Sequence, residues 1–297
     1  MSKKHPIVAV TGSSGAGTTT VKRAFEHIFL RENINPLVVE GDSYHLYDRA
    51  AMKVEMTKQE ELGNKFFSHF GENANHFDKL AETFESYSKS GECQRRYYLH
   101  SDEEAVEHNA RLGTDLTPGQ FTPWEDIKGK TDLLFYEGLH GLAKTENNDV
   151  AQHVDPGVGV VPIVNLEWIQ KIFRDNDERG YAAVVIVDTI LRRMPDYVNY
   201  ITPQFSKTDV NFQRVSTVDT SNPFIARDIP TPDESFIVIR FRKPTEFGVD
   251  FSHLLNMIKD SFMSRPNTIV VPGAKMGFAM ELILGPKIQR MLEEKKG

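Results

Sequence analysis

A glycine-rich segment lies between a short apolar run and an amphipathic pattern near the start of this 297-residue chain. The apolar run spans 7–10, and a continuous apolar run is typical of a strand that is covered on both faces. After the loop, apolar residues recur at helical spacing, and this recurrence predicts an amphipathic helix. They are Val21, Ala24, Phe25, Ile28 and Phe29. Strand, glycine-rich loop and helix in this order predict a phosphate-binding loop.

The loop matches the pattern G-x-x-x-x-G-K-[ST] except at one position, because Thr18 stands where the lysine is expected. Its glycines allow the backbone to approach phosphates, and its free N–H groups offer partial positive charge. Thr19 occupies the position whose hydroxyl binds Mg²⁺. A dinucleotide-binding loop fits poorly, because no G-x-G-x-x-G begins at Gly12. The residues expected to hold a nucleotide are Gly12, Ser13, Ser14, Gly15, Ala16, Gly17, Thr18, Thr19 and Thr20.

Apolar strands alternate with amphipathic helices along the chain, which predicts an α/β fold. The expected architecture is a doubly wound, mostly parallel but mixed sheet flanked by helices, as in P-loop nucleoside monophosphate kinases. Further strands are predicted at 37–39, 133–136, 158–164, 236–241 and 268–271, with a closing helix at about 276–292. The segment 182–201 suits a strand by propensity and a helix by periodicity; we favour a helix with a kink at Pro195.

One domain is expected over 1–297, because no linker or repeat divides the chain. Segments near 44–63, 91–131 and 166–182 are predicted to leave the sheet as loops or lids. The net charge of −7 argues against nucleic acid as the main partner. No run approaches the ~18 apolar residues of a membrane helix, and the apolar run near the start is too short for a signal peptide, so a cytoplasmic location is expected.

Two carboxylates follow predicted strands: Asp42 after 37–39 and Glu137 after 133–136. Ligands of doubly wound sheets bind at the carboxyl ends of the strands, so both side chains should face the phosphate loop. Phosphoryl transfer needs one carboxylate to bind Mg²⁺ and another to accept the proton of the attacking hydroxyl. Glu137 suits the metal, and Asp42 suits the base. Either residue alone would more often be a helix cap or a solvated charge.

A basic segment supplies the cation that the loop lacks. The spacing of its charged residues favours one broad helix face, formed by Lys171, Arg174 or Asp175, and Arg179. A solvated basic face is the ordinary interpretation of such a pattern. In an acidic chain without the loop lysine, we instead expect Lys171 to replace that charge and the arginines to bind phosphates.

Taken together, these motifs resemble phosphoribulokinases of the bacterial class, and the resemblance extends over essentially the whole chain. The stretches that carry it are 10–20, Glu40-Gly41-Asp42 with His45 and Arg49, 135–141, 165–180, 203–209 and 218–224. The phosphate loop and the R-D-x-x-x-R-G motif are shared with uridine kinases, whereas the other stretches are more specific.

The resemblance implies transfer of the ATP γ-phosphate to the C1 hydroxyl of ribulose 5-phosphate, the Calvin-cycle step that forms ribulose 1,5-bisphosphate. It implies Asp42 as general base, Glu137 with Thr19 as Mg²⁺ ligands, Lys171 as the replacement lysine and Asp175 as a further catalytic carboxylate. It also implies a set of residues that hold the sugar phosphate. These are His45, Arg49, Tyr98, His100, Arg174 and Arg179.

The same resemblance implies regulation. The single cysteine, Cys93, excludes an intrachain thiol switch of the kind found in plant members. Bacterial members are usually activated by NADH, inhibited by AMP and assembled as large homo-oligomers. Arg31, Arg240 and Arg265 match their effector-linked arginines, although each alone would more often be a surface charge.

Two alternatives remain open from the sequence. One is a related P-loop kinase that acts on uridine or pantothenate, which the basic acceptor residues disfavour. The other is a regulatory nucleotide-binding protein without chemistry. The presence of Asp42, Glu137, Lys171 and Asp175 together argues against it, because a binder needs no base.

Overall fold

The fold is described from a computed structural model, which covers residues 4–12, 18–161, 163–177, 180–226 and 228–296. The strands are β1 (Ile7–Gly12), β2 (Pro36–Glu40), β3 (Cys93–Arg95), β4 (Glu125–Ile127), β5 (Leu133–Gly138), β6 (Gly157–Val161), β7 (Val210–Ser216), β8 (Ser235–Phe241), β9 (Phe262–Arg265) and β10 (Thr268–Pro272). The helices are α1 (Thr18–Arg31), α2 (Arg49–Glu61), α3 (Phe77–Ser90), α4 (Asp102–Leu112), α5 (Val164–Asp177), α6 (Ala183–Asp196), α7 (Pro244–Phe247), α8 (Phe251–Met257) and α9 (Met276–Lys296).

The main sheet has eight strands in the order β2-β5-β1-β6-β7-β8-β10-β9. The strands from β2 to β7 pair in parallel. The strands from β7 to β9 pair antiparallel. The predicted mixed α/β sheet is therefore confirmed. Because β2, β5, β1 and β6 run in the same direction, the residues that follow them meet at one edge of the sheet.

Alternating residues of β1 supply two hydrophobic cores, one on each face of the sheet. Val8 and Val10 pack with the apolar faces of α1 and α9. Ile7 and Ala9 pack on the opposite face with residues of α3, including Phe84. A strand that is buried on both faces has no solvated side, which is why 7–10 contains only apolar residues. The apolar stripe predicted for the helix after the loop is buried throughout.

One strand boundary was wrong. The sequence predicted a strand over 158–164 ending at Asn165, whereas β6 ends at Val161 and α5 begins at Val164. Residue 162 is a proline, which has no N–H to donate to a sheet. Beyond it, Leu166 and Ile169 are buried at helical spacing, so the segment packs as a helix.

The helix predicted over 182–201 is confirmed as α6, which contains Pro195 and continues as a π-helical turn over Tyr197–Ile201. The strand alternative is thereby excluded. Its buried residues include Ile186 and Ile190, whereas much of the valine-rich stripe is exposed. The exposed members include Val184, Leu191 and Val198.

The predicted excursions near 44–63 and 91–131 contribute no strand to the main sheet, but they contain regular structure. The first includes α2, and the second includes α4 and the antiparallel pair of β3 and β4. A lid role for these segments and the single-domain organisation stay predictions. Within the described ranges, every helix is too short or too polar to cross a bilayer.

Candidate active site

The phosphate loop connects β1 to α1, as the sequence predicted. Gly12 is the last residue of β1, and α1 begins at Thr18. Ser13, Ser14, Gly15, Ala16 and Gly17 lie outside the described residues, as do the side chains of Thr18 and Thr19. Thr20 is exposed on the first turn of α1. The start of α1 therefore lies directly beyond the carboxyl end of the central strand, where a helix N-terminus favours an anion.

The neighbouring strands β2 and β5 approach closely at their carboxyl ends because both carry glycine there. A Cβ atom at Gly41 would lie 2.8 Å from Cα of Gly138, and one at Gly138 would lie 2.6 Å from Cα of Gly41. A larger residue at either position would push the strand ends apart. The approach brings together Glu137, its register partner Glu40, and Asp42 in the turn after β2.

This concentration of negative charge affects Glu137. Burial and the neighbouring Glu40 raise the pKa of the Glu137 carboxyl to about 7, with Asp42 acting in the same direction and Lys22 opposing it. A carboxylate whose ionised form is disfavoured by burial and by neighbouring negative charge is a suitable ligand for a hard divalent cation. Mg²⁺ takes one or two protein carboxylates and completes its shell with water and phosphate.

We expect Glu137→Gln to stabilise the metal-free protein at high pH. The folded state holds a proton on Glu137 between its usual pKa of 4.5 and about 7, so rising pH through this window destabilises the wild type. The variant lacks this penalty. We expect the free energy of unfolding of the variant to exceed that of wild type by about 1–3 kcal/mol at about pH 8, and this difference to disappear at about pH 4.5. Urea unfolding in the presence of a chelator measures both values. Equal free energies of unfolding for the two proteins at high pH would contradict the raised pKa of Glu137. Glu82→Gln, at an exposed site on α3, is the control and should change little.

Asp42 lies in the turn over Gly41–Tyr44 and faces two histidines. Its Oδ1 is 3.5 Å from Nε2 of His45, and its Oδ2 is 3.7 Å from Nε2 of His100. Burial alone would raise the pKa of Asp42, but the hydrogen bond and charge of His45, together with His100 and His69, hold this pKa well below its usual value. The side chain is still 43% exposed. Asp42 is therefore an ionised carboxylate that a substrate can reach.

Residues that carry no motif hold the turn in place. Arg96 donates from Nε to the carbonyl of Ser43 at 2.7 Å and from Nη2 to the carbonyl of His45 at 2.6 Å. Its guanidinium lies over the rings of Phe121 and Trp124, 3.8 Å and 4.7 Å from their centroids. These contacts fix the backbone on both sides of Tyr44. Arg96 was not among the predicted site residues, because such contacts have no spacing signature in the sequence.

A second group lies on α5 and consists of Lys171, Arg174 and Asp175. Lys171 contacts a carboxylate oxygen of Asp175 closely, and Nε of Arg174 lies 3.1 Å from the other. The Lys171 and Asp175 side chains are only 14% and 5% exposed. Burial lowers the pKa of Lys171 to about 8, with Arg193 acting in the same direction and Asp175 opposing it. Among the described residues, the ion pair of Lys171 is with Asp175, and none joins it to Asp42 or Glu137.

Of the remaining predicted acceptor residues, His100 and Tyr98 are the ones that the structure links to Asp42. Tyr98 packs edge-on against His100 with ring centroids 4.8 Å apart. Arg49 is the first residue of α2 and is exposed, and in the described part of the chain no carboxylate forms an ion pair with its guanidinium. Arg179 lies outside the described residues. His45, Asp42, His100 and Tyr98 therefore form one contiguous group.

The arginines predicted to bind effectors are all exposed. Arg31 ends α1 and pairs with Glu32 at 2.7 Å and Glu281 at 3.3 Å. Arg240 on β8 and Arg265 on β9 are both register partners of Thr268, which lies on the strand between them. Arg240 and Arg265 thus lie on strands that flank the same residue.

Similarity to known proteins agrees with this site. A family profile described as the Phosphoribulokinase / Uridine kinase family matches residues 7–221. The chain belongs to this family. The chromosomal phosphoribulokinase of Cupriavidus necator is 59% identical over 296 residues, covering 100% of this chain and 99% of that protein. The phosphoribulokinase of Nitrobacter vulgaris is 55% identical with the same coverage. The solved structure of phosphoribulokinase from Rhodobacter spheroides has a TM-score of 0.89 at 50% identity and covers both chains completely.

Membership of the phosphoribulokinase/uridine kinase family confirms the resemblance found in the sequence. It makes the chain a nucleotide-binding phosphotransferase, and a kinase of this family uses ATP with Mg²⁺. A regulatory binder without chemistry is disfavoured by the same finding. The roles of individual side chains are a separate matter and rest on their geometry.

Proposed function

We propose that the protein phosphorylates the C1 hydroxyl of ribulose 5-phosphate with ATP and releases ribulose 1,5-bisphosphate. The observation that supports this most directly is the ionised Asp42 carboxylate, which lies among His45, His100 and Tyr98 at the edge of the sheet where the phosphate loop begins. The full-length relatives that carry the name phosphoribulokinase support this choice of acceptor.

Asp42 acts as the general base. As the acceptor oxygen bonds to the γ-phosphorus, its O–H bond breaks and the proton moves to a carboxylate oxygen of Asp42, while the bond to the bridging oxygen of ADP breaks. A sugar hydroxyl has a far higher pKa than a carboxylate, so the proton moves during attack and not before it. A low pKa keeps Asp42 free of a competing proton at neutral pH.

Lys171 supplies the positive charge that Thr18 cannot. Its low exposure and its contact with Asp175 restrict the ammonium group to few positions. A cation in a site of low dielectric stabilises developing charge on the transferred phosphoryl oxygens more strongly than one in water. Asp175 holds Lys171, and Arg174 together with Arg179 completes a cationic surface for phosphate oxygens.

Arg49 is proposed to bind the sugar phosphate together with Arg174 and Arg179. Arg49 is exposed and forms no ion pair with any carboxylate in the described ranges, so its donors are available for an anionic ligand. His45, Tyr98 and His100 are proposed to contact the sugar beside Asp42. A pocket with this many cations suits a phosphorylated acceptor better than uridine, which carries no charge.

Glu137 is the proposed protein ligand of Mg²⁺, with the hydroxyl of Thr19. Its crowding with Glu40 fits a bound cation, because a divalent charge would remove the repulsion that raises the pKa of Glu137. Held by Glu137 and Thr19, a Mg²⁺ ion would supply positive charge that offsets the negative charge of the phosphates. The residues of this chain contribute the carboxylate and its fixed position at the end of β5.

The proposed activity is tested by product identification. The purified protein is incubated with ATP and Mg²⁺ in parallel with ribulose 5-phosphate, uridine or pantothenate, and ADP release is followed by a coupled assay. We expect turnover with ribulose 5-phosphate and a ³¹P spectrum with two phosphomonoesters per product molecule. Preferential turnover of uridine or pantothenate would overturn the choice of acceptor. Firm ATP binding without turnover of any of them would indicate a nucleotide-binding protein instead.

Regulation and assembly follow the same family pattern in our proposal. NADH is proposed as an activator that acts through Arg31, Arg240 and Arg265, whose exposed guanidinium groups suit an anionic nucleotide. A homo-oligomer is proposed, because exposed apolar side chains on α6 such as Val184 and Leu191 are unfavourable in water and favour burial against another surface. A cytoplasmic location is proposed on the grounds given by the sequence.

A further inference from the structure

Asn75 is a buried polar residue that contacts His45, the histidine beside Asp42. Its Nδ2 lies 2.8 Å from the carbonyl oxygen of His69 and 2.7 Å from that of Gly71. Carbonyl oxygens only accept hydrogen bonds, so the nitrogen of the amide must face these two atoms. Both amide protons are thereby used, and the orientation of the side chain is decided by its partners.

That orientation fixes a proton on His45. The Oδ1 atom of Asn75 lies 2.7 Å from Nδ1 of His45. Since an amide oxygen can only accept, Nδ1 of His45 must carry the proton of this hydrogen bond. The remaining ring nitrogen, Nε2, is therefore the only position on His45 where the protonation state can change.

Nε2 of His45 is the atom that faces Oδ1 of Asp42, at 3.5 Å. The contact with His45 lowers the pKa of Asp42. The orientation of the His45 ring therefore helps to keep the carboxylate of Asp42 ready to receive a proton from a substrate.

We propose that Asn75 is a positioning residue of the phosphoryl-transfer site, which holds the proton of His45 on Nδ1 and thereby orients the ring so that Nε2 faces Asp42. The proposal rests on the role of Asp42 as base given under the proposed function. Asn75 acts through His45 and does not itself touch the reacting atoms. It belongs to the chain of contacts from Gly71 through Asn75 and His45 to Asp42.

Other ionisable groups surround the pair. His69 stacks on His45 with ring centroids 4.7 Å apart, and burial lowers the pKa of His69 to about 3, so it remains neutral. His140 is also held neutral, since burial lowers its pKa to about 3. His100 faces the second oxygen of Asp42, and Arg96 binds the carbonyl of His45.

Two substitutions at Asn75 separate the proposed role from a merely structural one. Asn75→Leu and Asn75→Asp both remove the amide donor to His69 and Gly71, so both weaken this loop. Only Asn75→Asp keeps an oxygen acceptor for Nδ1 of His45. We expect kcat to fall by ~10-fold or more in Asn75→Leu and to stay within ~3-fold of wild type in Asn75→Asp. An equal loss of kcat in both variants would show that the loop contacts alone matter.

The pH profile gives a second measure. Without an oriented His45 ring, the contact that lowers the pKa of Asp42 is weakened, so the acidic limb of kcat/KM should move to higher pH in Asn75→Leu. In Asn75→Asp the limb should remain close to the wild-type position, because the acceptor for Nδ1 of His45 is kept. Coinciding limbs in Asn75→Leu and wild type would overturn the proposal.

A measurement on the wild-type protein does not depend on the folding of any variant. In ¹⁵N spectra of histidine-labelled protein, assigned by the loss of signals in His45→Phe, Nδ1 of His45 should have the shift of a protonated nitrogen. An unprotonated Nδ1 would overturn the proposal. Should Asp42→Asn retain full kcat, the base assignment and this proposal both fail. If Asp42→Asn loses activity while the two Asn75 variants are alike, only the role of Asn75 fails.

Discussion

Asp42→Asn is expected to lower kcat at least ~10²-fold while leaving the KM values for ATP and the sugar phosphate near those of the wild type. The amide has almost the same shape as the carboxylate and keeps an oxygen for His45, but it cannot accept a proton from the attacking hydroxyl. A loss of this size corresponds to about 2.7 kcal/mol or more of transition-state stabilisation. Steady-state kinetics with ADP detection, at several concentrations of each substrate, gives the separation of kcat from KM.

The control for this variant is Asp78→Asn. Asp78 is also an aspartate beside a histidine, with its Oδ1 3.7 Å from Nδ1 of His76, but it is exposed at the start of α3. We expect kinetics close to wild type from Asp78→Asn. Full kcat in Asp42→Asn, or an equal loss in both variants, would remove Asp42 from the role of base.

The positions of Asp42 and Glu137 were predictable from the sequence, because each follows an apolar strand in an α/β pattern. The close approach of Gly41 and Gly138 explains why both strand ends carry a Glu-Gly pair, since any side chain there would separate the strands. The sequence thus located Asp42 and Glu137 at one edge of the sheet, as the parallel pairing of β2 with β5 confirms. Their chemical roles stay predictions.

The residues that hold the turn at Asp42 in place were not predictable from the sequence. Asn75 and Arg96 act on the turn at Asp42 from 30 or more positions away along the chain. Local periodicity contains no information on such long-range contacts. The helices α2 and α4 were not predicted, for a different reason. Each has a single buried residue, Met52 in α2 and Ala105 in α4. A helix that buries so little apolar surface has hardly any hydrophobic stripe to detect.

Lys171→Met is expected to lower kcat by ~10² or more and to change the KM for ATP much less. The methionine keeps much of the buried aliphatic volume but removes the ammonium group. Charge builds up on the transferred phosphoryl group mainly in the transition state, so a cation that compensates it contributes more to turnover than to ground-state binding. Binding of ATP also rests on the loop backbone and the start of α1, which this substitution leaves intact. Kinetics at saturating acceptor, together with ATP titration by fluorescence, measure both quantities.

The interpretation depends on the ion pair that the substitution breaks. Removing Lys171 leaves Asp175 with Arg174, which lies 3.1 Å away, so the buried carboxylate retains a cationic partner and the helix should remain folded. Lys89→Met is the control, because Lys89 also contacts an acidic residue four positions away on its helix, Glu85, but in an exposed pair. If kcat were unchanged in Lys171→Met, Lys171 would not be the residue that replaces the missing lysine of the phosphate loop. A proportional rise in the KM for ATP instead would assign Lys171 to nucleotide binding and not to the transition state.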